Sequence, residues 1–439
     1  MRGTDPRRLA AQVLAAVEDG QWSDEVLARA LGESGLGDND RGLVTRIVYG
    51  TIAHQRTLDH TLAARSSRPL ERIDLPVLVA LRIGLFQLCF LDRVPDHAAI
   101  STAVELLAGR SASAKGFVNA LLRRAQREGL APLPDGPLAT RLGIAHSHPD
   151  WLVERWLEEL GQDETEALLA ADNEAAPTCY RALGNRAAAQ KALSVVGIDS
   201  QACRFSESAF TVAGPVRDLD GLAVVQGEAS QLVVALLDPR PGERVLDACA
   251  APGGKTAAIA ARVGHEGSVV ACDPSPRARQ RIASLLGAAR VDAKVDFHAC
   301  AAQDLPAALG AFDAVLVDAP CSGLGTLRQH PEIRWRRDPE DIAQLAGRQL
   351  AILSAAAERV RPGGRLVYST CTLLAEENDD VVKAFLARHP AFSRTPADEL
   401  PAEGAACRDA SGALRTLPHR HGMDGFFAVR LQRSSNDQA

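Results

Sequence analysis

One stretch, Arg244–Thr256, constrains the fold of this chain more than any other. It reads R-V-L-D-A-C-A-A-P-G-G-K-T. Val245 and Leu246 end a short apolar run, which is typical of a buried parallel strand. Asp247 follows that strand, and the pair Gly253-Gly254 precedes a helix-forming run. A strand, a glycine turn and a helix in this order present backbone N–H groups at the strand's carboxyl end, where nucleotides bind. The stretch therefore predicts a nucleotide-binding α/β domain.

Two related nucleotide sites do not match this turn. A phosphate-binding P-loop requires a glycine at the position that Cys249 occupies. The dinucleotide pattern G-x-G-x-x-G is absent as well, which argues against a dehydrogenase. An ordinary glycine turn in an α/β domain remains the alternative to a ligand site.

Asp273 narrows the choice of ligand. The apolar run 268–272 predicts the next strand, and Asp273 ends it. A carboxylate at this place can accept hydrogen bonds from ribose hydroxyls. Taken alone, Asp273 could equally be the N-cap of a helix that starts near Pro276. The turn offers no basic side chain for a pyrophosphate beyond Lys255, and this favours an adenosine cofactor without phosphates.

Two cysteine motifs follow later predicted strands. The run 312–317 leads into Asp318-Ala319-Pro320-Cys321-Ser322-Gly323, and the run 365–369 leads into Thr370-Cys371-Thr372. Because the carboxyl ends of parallel strands meet at one edge of a sheet, we expect both cysteines to lie beside the glycine turn. A single cysteine of this kind would more often be an inert core residue.

Together, D-A-C-A-A-P-G-G-K-T, D-A-P-C-S-G-L-G and Y-S-T-C-T resemble the RNA cytosine-5 methyltransferases of the RsmB (Sun/Fmu) group, which modify bacterial small-subunit (16S) ribosomal RNA. The resemblance implies S-adenosylmethionine as the cofactor. It implies Cys371 as the nucleophile, Cys321 as the residue that assists release, and Asp318 and Lys255 as their catalytic partners. The implied cofactor-binding residues are Cys249, Ala250, Ala251, Pro252, Gly253, Gly254, Lys255, Asp273, Cys300, Asp304 and Asp318.

The reaction explains why two thiols are needed. Cytosine C5 is a poor nucleophile, and a thiolate that adds to C6 turns the ring into an enamine whose C5 can attack a methyl group. By resemblance, Cys371 attacks and Asp318 hydrogen-bonds or protonates N3. Cys321 assists the loss of H5, so that the C6–S bond can break. A positive neighbour such as Lys255 favours thiolate, and the target base must leave its stack to reach Cys371.

The third predicted strand, 291–299, departs from the family pattern. The resemblance implies an acidic residue at its end, positioned for the adenine, whereas Cys300 stands there and Asp304 follows a turn later. Either Asp304 substitutes for it or backbone groups bind the adenine, and the sequence does not decide between them.

The remaining chain predicts additional domains around this α/β core. Residues 1–130 show helical periodicity throughout, and their last helix, 115–128, looks like that of a NusB-like RNA-binding domain. Arg123, Arg124 and Arg127 could contact phosphates there or simply form a solvated face. The expected fold is a class I (Rossmann-like) α/β methyltransferase domain with an N-terminal all-α NusB-like bundle and a small α+β module between them. The expected boundaries are 1–130 for the helical domain, 131–172 for linker helices, 173–225 for the α+β module, 226–433 for the methyltransferase domain and 434–439 for a tail.

Within these domains, several finer elements are predicted. A continuous helix is expected over 43–62 and a buried helix over 75–91. The helix that follows 225–231 should cover the cofactor cleft, and 425–431 should close the sheet as an edge strand.

The cluster 328–337 is the sharpest basic and aromatic one in the chain. Four arginines, a histidine and a tryptophan near the active edge are typical of RNA binding, although a structural surface loop is the alternative. The predicted RNA contacts are Arg328, His330, Arg334, Trp335 and Arg336.

The composition of the chain limits which partners the protein is expected to bind. The net charge of −6 argues against wholesale nucleic-acid coating, so RNA contacts must come from local patches. Nine cysteines without C-x-x-C pairs predict reduced thiols and a cytoplasmic location. We expect ribosomal RNA as the partner, no membrane, no metal and a monomer. The alternative functions are a tRNA cytosine-5 methyltransferase and, in a different class, a non-catalytic NusB-like RNA-binding or antitermination factor.

Overall fold

The computed structural model describes residues 5–212, 219 and 221–435. Part of the expected α+β module (213–218 and 220) and most of the expected tail (436–439) lie outside the described residues. The chain divides into two compact units. The first contains 1–175 and 327–336, and the second contains 176–326 and 337–439. The inserted segment Leu327–Arg336 is called the arginine segment below.

The first unit is helical, as the periodicity of its sequence predicts. Its helices pack around one apolar core, to which Trp335 of the arginine segment also contributes. They are α1 (Pro6–Glu18), α2 (Ser23–Glu33), α3 (Asp38–Ala53), α4 (Gln55–Ala63), α5 (Leu75–Phe90), α6 (Asp96–Glu105), α7 (Ala112–Glu128), α8 (Leu138–Ala145), α9 (Asp150–Leu160) and α10 (Gln162–Ala171).

Two features of this unit bear on the sequence analysis. The helix expected over 43–62 is broken into α3 and α4 at His54, whose backbone leaves helical geometry and whose ring stacks on Phe90 at 3.9 Å between centroids. The prediction of a buried helix at 75–91 is confirmed. Its Arg82 is neutralised by Asp59 and Glu18, each 2.7 Å away.

The second unit begins with the small α+β part. Its four strands pair in the order β2-β3-β1-β4, all antiparallel, with α11 (Arg186–Val195) beside them. The strands are β1 (Thr178–Ala182), β2 (Ser200–Ala202), β3 (Ala209–Val212) and β4 (Ala223–Val225).

The remainder of the second unit is a mixed sheet with helices against it. Its strands are β5 (Arg244–Asp247), β6 (Ser268–Cys272), β7 (Lys294–His298), β8 (Phe312–Asp318), β9 (Val360–Thr370), β10 (Phe392–Arg394), β11 (Leu414–Thr416) and β12 (Phe426–Arg433). Its helices are α12 (Glu228–Leu237), α13 (Gly254–Val263), α14 (Ala278–Ala288), α15 (Pro339–Ala357), α16 (Asp379–Arg388) and α17 (Pro418–His421). The strand order is β10-β12-β9-β8-β5-β6-β7, with β11 added against β12.

The central strands β7, β6, β5, β8 and β9 are mutually parallel, and the order reverses between β5 and β8. In open α/β sheets, ligands bind beyond the carboxyl ends of the strands at such a reversal. The loops that follow β5, β6, β7, β8 and β9 are called the carboxyl edge below. This class I α/β fold, with the all-α unit before it, confirms the predicted fold class.

Two predictions about this sheet are wrong. The strand β12 does not close the sheet as an edge, because it lies between β9 and β10 and also pairs with β11. Helix α12 does not cover the cofactor cleft. Its apolar residues pack against β9, β12 and α13 in the core, and none of its side chains lines the cavity described below.

No helix among the described residues is long and apolar enough to cross a membrane.

Candidate active site

Asp247 anchors the first turn of the carboxyl edge. It ends β5 with an exposure of 1%, and Thr256 Oγ1 donates a hydrogen bond of 2.7 Å to its Oδ2. Burial raises the pKa of Asp247 to about 6, with the hydrogen bond from Thr256 acting in the opposite direction. The contact ties the strand end to the helix that follows and thereby fixes the loop between them.

The glycine turn has a steric reason. Gly253 has a φ of +112°, and a Cβ at this position would lie 2.9 Å from Ile282 Cα. Any other residue would be strained and would collide with α14. Gly253 thus lets the start of α13 lie close against α14, with its free backbone N–H groups at the carboxyl edge.

A cavity of about 470 Å³ opens at this edge, within the usual size range of small-ligand sites. Of the predicted cofactor residues, Cys249, Ala251, Asp273 and Asp318 line it. Ala250, the 252–255 turn, Cys300 and Asp304 do not. The lining residues that the sequence analysis missed are Ala248, Pro274, Ser275, Ala301, Ala302, Gln303, Pro320, Arg348 and Ile352. Arg348 and Ile352 lie far along the chain in a helix, so no local motif marked them.

Asp273 is held by two backbone groups. Its Oδ2 accepts from Ala251 N at 3.0 Å and its Oδ1 accepts from Ser275 N at 2.8 Å. The alternative role as a helix N-cap is wrong, because Arg277 occupies that position of α14 and Asp273 lies before it. The carboxylate is therefore fixed in the cavity wall, and each oxygen keeps a lone pair for a ligand.

At the end of β7, the wall is made by 301–303 and neither Cys300 nor Asp304 belongs to it. Asp304 is exposed. Of the two alternatives for adenine, this wall favours contacts from the 301–303 segment over a substitution by Asp304.

Asp318 and Lys255 form an ion pair at the end of β8. Lys255 Nζ lies 2.6 Å from Asp318 Oδ2, and Ser369 Oγ donates to Asp318 Oδ1 at 2.7 Å. Asp318 lines the cavity with a side-chain exposure of 23%, whereas Lys255, with an exposure of 12%, does not line it. Lys255 also lies 5.2 Å from the centre of the Phe426 ring.

The two predicted catalytic thiols meet at the same edge. Cys321 Sγ and Cys371 Sγ are 3.3 Å apart, and Cys371 N–H donates to Cys321 Sγ at 3.3 Å. The hydrogen bond with Cys371 and then burial raise the pKa of the Cys321 thiol well above its usual value. Burial likewise raises the pKa of Cys249, so this wall residue stays a neutral thiol. All nine cysteines are free.

The chain matches three family models in sequence order. They are the NusB family over 4–127, the RsmF/B-like methyltransferase ferredoxin-like domain over 148–217, and the 16S rRNA methyltransferase RsmB/F over 234–432. A probable ribosomal RNA small subunit methyltransferase B from Bacillus subtilis is 35% identical, over 99% of this chain and 100% of its own length. The chain belongs to the RsmB/F family of 16S rRNA methyltransferases.

Two further comparisons agree with this membership. The ribosomal RNA small subunit methyltransferase B of Thermus thermophilus is 38% identical over the full length of both chains. The crystal structure of PH0851 superposes with a TM-score of 0.81 at 26% identity, covering 98% of this chain and 99% of that one. The match thus includes the helical unit as well as the methyltransferase domain.

The cofactor of this RsmB/F chain is S-adenosylmethionine, as predicted. The cavity fits it in size and in charge. Its described wall carries two carboxylates, Asp273 and Asp318, against one arginine, Arg348. That balance suits a cationic sulfonium and an adenosine ribose better than a pyrophosphate. Asp273, which lines this wall, stays the predicted ligand of the ribose hydroxyls.

The arginine segment departs from its prediction. Arg334 is 1% exposed, and its guanidinium donates to the carbonyls of Ala53, Ser147 and Asp172 and to Asn173 Oδ1 at 2.8–3.3 Å. Burial lowers its pKa to about 10. An RNA contact by Arg334 is therefore contradicted, because both terminal nitrogens of its guanidinium bind the protein and the side chain is buried.

The other predicted RNA contacts of this segment differ in exposure. Trp335 Nε1 donates to Ile52 O at 3.3 Å, and Arg336 donates to Val17 O and Gln21 O at 3.0 and 2.6 Å. Arg336 also stacks over Trp22, 4.6 Å from the ring centre. These two residues act within the first unit. Arg328 and His330 are half-buried and remain predicted RNA contacts.

One group of possible metal ligands occurs in the described part of the chain. Side-chain ligand atoms of Asp24, His330 and Glu332 lie within 4.8 Å of one another. Glu332 already has a structural role, because its Oε1 accepts from Ser23 N at 2.9 Å and so caps the start of α2. The expected absence of a metal stays a prediction.

Proposed function

We propose that this RsmB/F methyltransferase acts on C5 of a cytosine in 16S rRNA, through a covalent bond between Cys371 and C6 of the base. The observation that carries the proposal is the pair of sulfurs 3.3 Å apart, beside the Asp318–Lys255 ion pair. Methylation of a ring nitrogen or a ribose hydroxyl would need neither thiol.

The surroundings of Cys321 bear on which of the two thiols attacks the base. The hydrogen bond with Cys371 and burial raise the pKa of Cys321, which favours the neutral thiol at that position. The thiolate is the nucleophilic form of cysteine. The resemblance of the Thr-Cys motif to the family assigns the attack to Cys371, and a neutral Cys321 thiol agrees with that assignment.

The chemistry then follows from the positions of the side chains. Cys371 Sγ adds to C6, and negative charge develops toward N3 of the ring. Asp318, held by Lys255 and Ser369, is available to relay to N3 the proton that the Cys371 thiol gives up when it attacks. S-adenosylmethionine supplies the methyl group as an electrophile. Once C5 carries the methyl group, Cys321, having passed its own proton to water, takes H5. The C5–H electron pair re-forms the C5–C6 double bond, the C6–S electron pair returns to Cys371, and N3 gives its proton back to Asp318.

The substrate half of the proposal is supported by the family and by the relatives named as small-subunit rRNA methyltransferases. The target base must be flipped from any stack to reach Cys371 at the sheet edge.

The decisive experiment separates the two cysteines. The Cys321→Ala variant, given 16S rRNA and S-adenosylmethionine, should accumulate a protein–RNA adduct that survives denaturation, because attack proceeds and release is slow. The Cys371→Ala variant should give neither adduct nor 5-methylcytidine, and the double variant should match it. Cys89→Ala, at a half-buried cysteine of the first unit, is the matched control and should behave as the unmodified protein.

Adduct in Cys371→Ala and none in Cys321→Ala would reverse the two roles. A methylated nucleoside other than 5-methylcytidine, identified by mass spectrometry of the digested RNA, would overturn the choice of C5.

A further inference from the structure

Glu377 is a fully buried carboxylate beneath the two thiols. It lies in a 3₁₀ turn, Ala375–Glu377, with an exposure of 0%. Its Oε1 accepts from Ser322 N and from Gln349 Nε2, both at 2.8 Å, and its Oε2 accepts from Ser322 Oγ at 2.5 Å. The sequence analysis assigned no role to Glu377, because no motif contains it.

The contacts of Glu377 reach the loops of both cysteines. Ser322 directly follows Cys321, and Thr372 directly follows Cys371. The hydroxyls of Ser322 and Thr372 are 2.9 Å apart. Glu377 therefore holds the Cys321 loop by its backbone and hydroxyl, and through that hydroxyl it holds the Cys371 loop.

Neighbouring groups add further hydrogen bonds to this network. Tyr368 OH donates to the Glu377 carbonyl at 2.6 Å, and its oxygen lies 3.1 Å from Gln349 Oε1. Asn378 Nδ2 donates to the Thr372 carbonyl at 3.0 Å. The network is buried and internally satisfied, and such networks define one arrangement of the groups that they join.

A carboxylate is an energetically unfavourable side chain at a buried position such as that of Glu377. None of the ion pairs among the described residues includes Glu377, and its partners are neutral donors. A buried carboxylate without a cation is unfavourable unless its hydrogen bonds compensate for the lost hydration. An apolar side chain would pack here at lower cost but would leave Ser322 and Thr372 unrestrained.

We propose that Glu377 is a positioning residue that sets the separation of the Cys321 and Cys371 sulfurs by tying Ser322 and Thr372 together. Its link to catalysis rests on the proposed function of the two thiols.

The same carboxylate acts on Cys321 through its charge. After the hydrogen bond with Cys371, burial and the charge of Cys371, the charge of Glu377 further raises the pKa of Cys321. Glu377 thus favours the neutral thiol form of Cys321, in addition to holding its loop.

The first experiment measures the sulfur separation directly. Diamide takes two electrons and two protons from a thiol pair, leaving a disulfide while its N=N bond is reduced to a hydrazine. The rate of Cys321–Cys371 disulfide formation, followed by peptide mapping of the full-length protein, therefore reports how well the thiols are juxtaposed. Glu377→Ala should slow this rate on the order of tenfold to a hundredfold, the range typical of misplaced reacting groups.

Controls are built into the same chain. Cys179 and Cys203, with sulfurs 3.9 Å apart in the small α+β part, form a second pair whose disulfide rate should not change. Glu358→Ala removes an exposed glutamate at the end of α15 and should leave both rates unchanged. Glu377→Gln preserves the shape and part of the bonding, so it should restore most of the Cys321–Cys371 rate.

If Glu377→Ala does not fold, Ser322→Ala tests the same link, because it removes the hydroxyl that joins Glu377 to Thr372. If folded Glu377→Ala or Ser322→Ala forms the Cys321–Cys371 disulfide at an unchanged rate, the proposal is overturned. A slower Cys321–Cys371 rate together with an unchanged Cys179–Cys203 rate supports it.

The second experiment connects positioning to turnover. When RNA is varied at saturating cofactor, Glu377→Ala should lower kcat and leave the KM for RNA unchanged. At saturating RNA, it should raise the ratio of covalent adduct to methylated product. A merely destabilised protein would lose adduct and product in proportion, and that result overturns the catalytic link. If Cys321→Ala and the unmodified protein never form an adduct, the proposed function fails, whereas the disulfide rates still decide the positioning role.

Discussion

The carboxyl edge and the arginine segment are two clusters of chemically active residue types, and the structure uses them differently. At the carboxyl edge, Lys255 pairs with Asp318, the Cys321 thiol contacts the Cys371 thiol, and Asp318 lines a cavity. In the arginine segment, Arg334 and Arg336 direct their guanidinium groups to backbone carbonyls of the first unit. The difference lies in the partners: the first cluster pairs side chains at strand ends, and the second satisfies helix ends.

This contrast has a physical basis. The last carbonyls of a helix have no partner within that helix, and a buried guanidinium with five donors can satisfy several of them at once. Ala53 ends α3, and Asp172 follows α10, so the carbonyls that Arg334 binds are of this kind. An arginine cluster therefore predicts RNA binding only where the arginines stay exposed, and the sequence alone does not report this exposure.

The largest effect is expected at Arg334. The Arg334→Met variant removes a buried cation and leaves three carbonyls and Asn173 Oδ1 without its donors, so the first unit should lose about 3–5 kcal/mol of unfolding free energy. All four tryptophans (Trp22, Trp151, Trp156 and Trp335) belong to that unit, so tryptophan fluorescence in urea reports its unfolding selectively. Arg46→Met, at an exposed arginine of α3, is the control and should change little.

If Arg334→Met instead kept the stability of the first unit and weakened RNA binding, the contrast between the two clusters would be lost. Arg334 would then be an RNA contact despite its burial.

The next effect concerns pH, which should act on the two regions with opposite sign. Burial, followed by the charge of Arg334 and that of His146, lowers the pKa of His54 from its ordinary 6.5 to about 4. The folded first unit therefore binds fewer protons than the unfolded chain between these values, and its stability should fall by about 3 kcal/mol as the pH drops from 6.5 to 4. Urea titrations by tryptophan fluorescence at several pH values measure this slope. His54→Gln should flatten the slope, and the exposed His97→Gln should not.

At the carboxyl edge, burial raises the pKa of Asp247 from 3.8 to about 6. There the folded state binds more protons, so ionisation of Asp247 should cost stability as the pH rises from 3.8 to 6, and Asp247→Asn should remove this cost. Hydrogen exchange of the β5 and β8 amides tests the sign. If the stability of both regions changed with pH in the same direction, the burial assigned to His54 or to Asp247 would be contradicted.

Much of the fold was accessible from the sequence because local signals agreed with the tertiary structure. The strand β6 has the predicted bounds, 268–272, since turn residues flank its apolar run. The break at His54 and the interior position of β12 were missed, because both depend on contacts between distant parts of the chain. The same reason applies to Arg348, which reaches the cavity from α15, whereas Glu377 lies only six residues after Cys371 but belongs to no motif that the sequence analysis used.

The smallest effect is expected at Arg328, and it tests whether the arginine segment retains any RNA contact. Arg328 is half-buried rather than buried, so part of its guanidinium can reach a phosphate. Each phosphate contact releases condensed counterions, and raising the salt fourfold should therefore weaken binding by about threefold per contact. Arg328→Gln should thus show a log–log salt dependence of RNA affinity that is shallower by about one contact. Tryptophan fluorescence should show unchanged stability, in contrast to Arg334→Met, and the exposed Arg46→Gln should leave the salt slope unchanged. An unaltered salt slope in a folded Arg328→Gln protein would mean that the whole segment serves the first unit, and RNA contacts would then have to be sought on α7, at Arg123, Arg124 and Arg127.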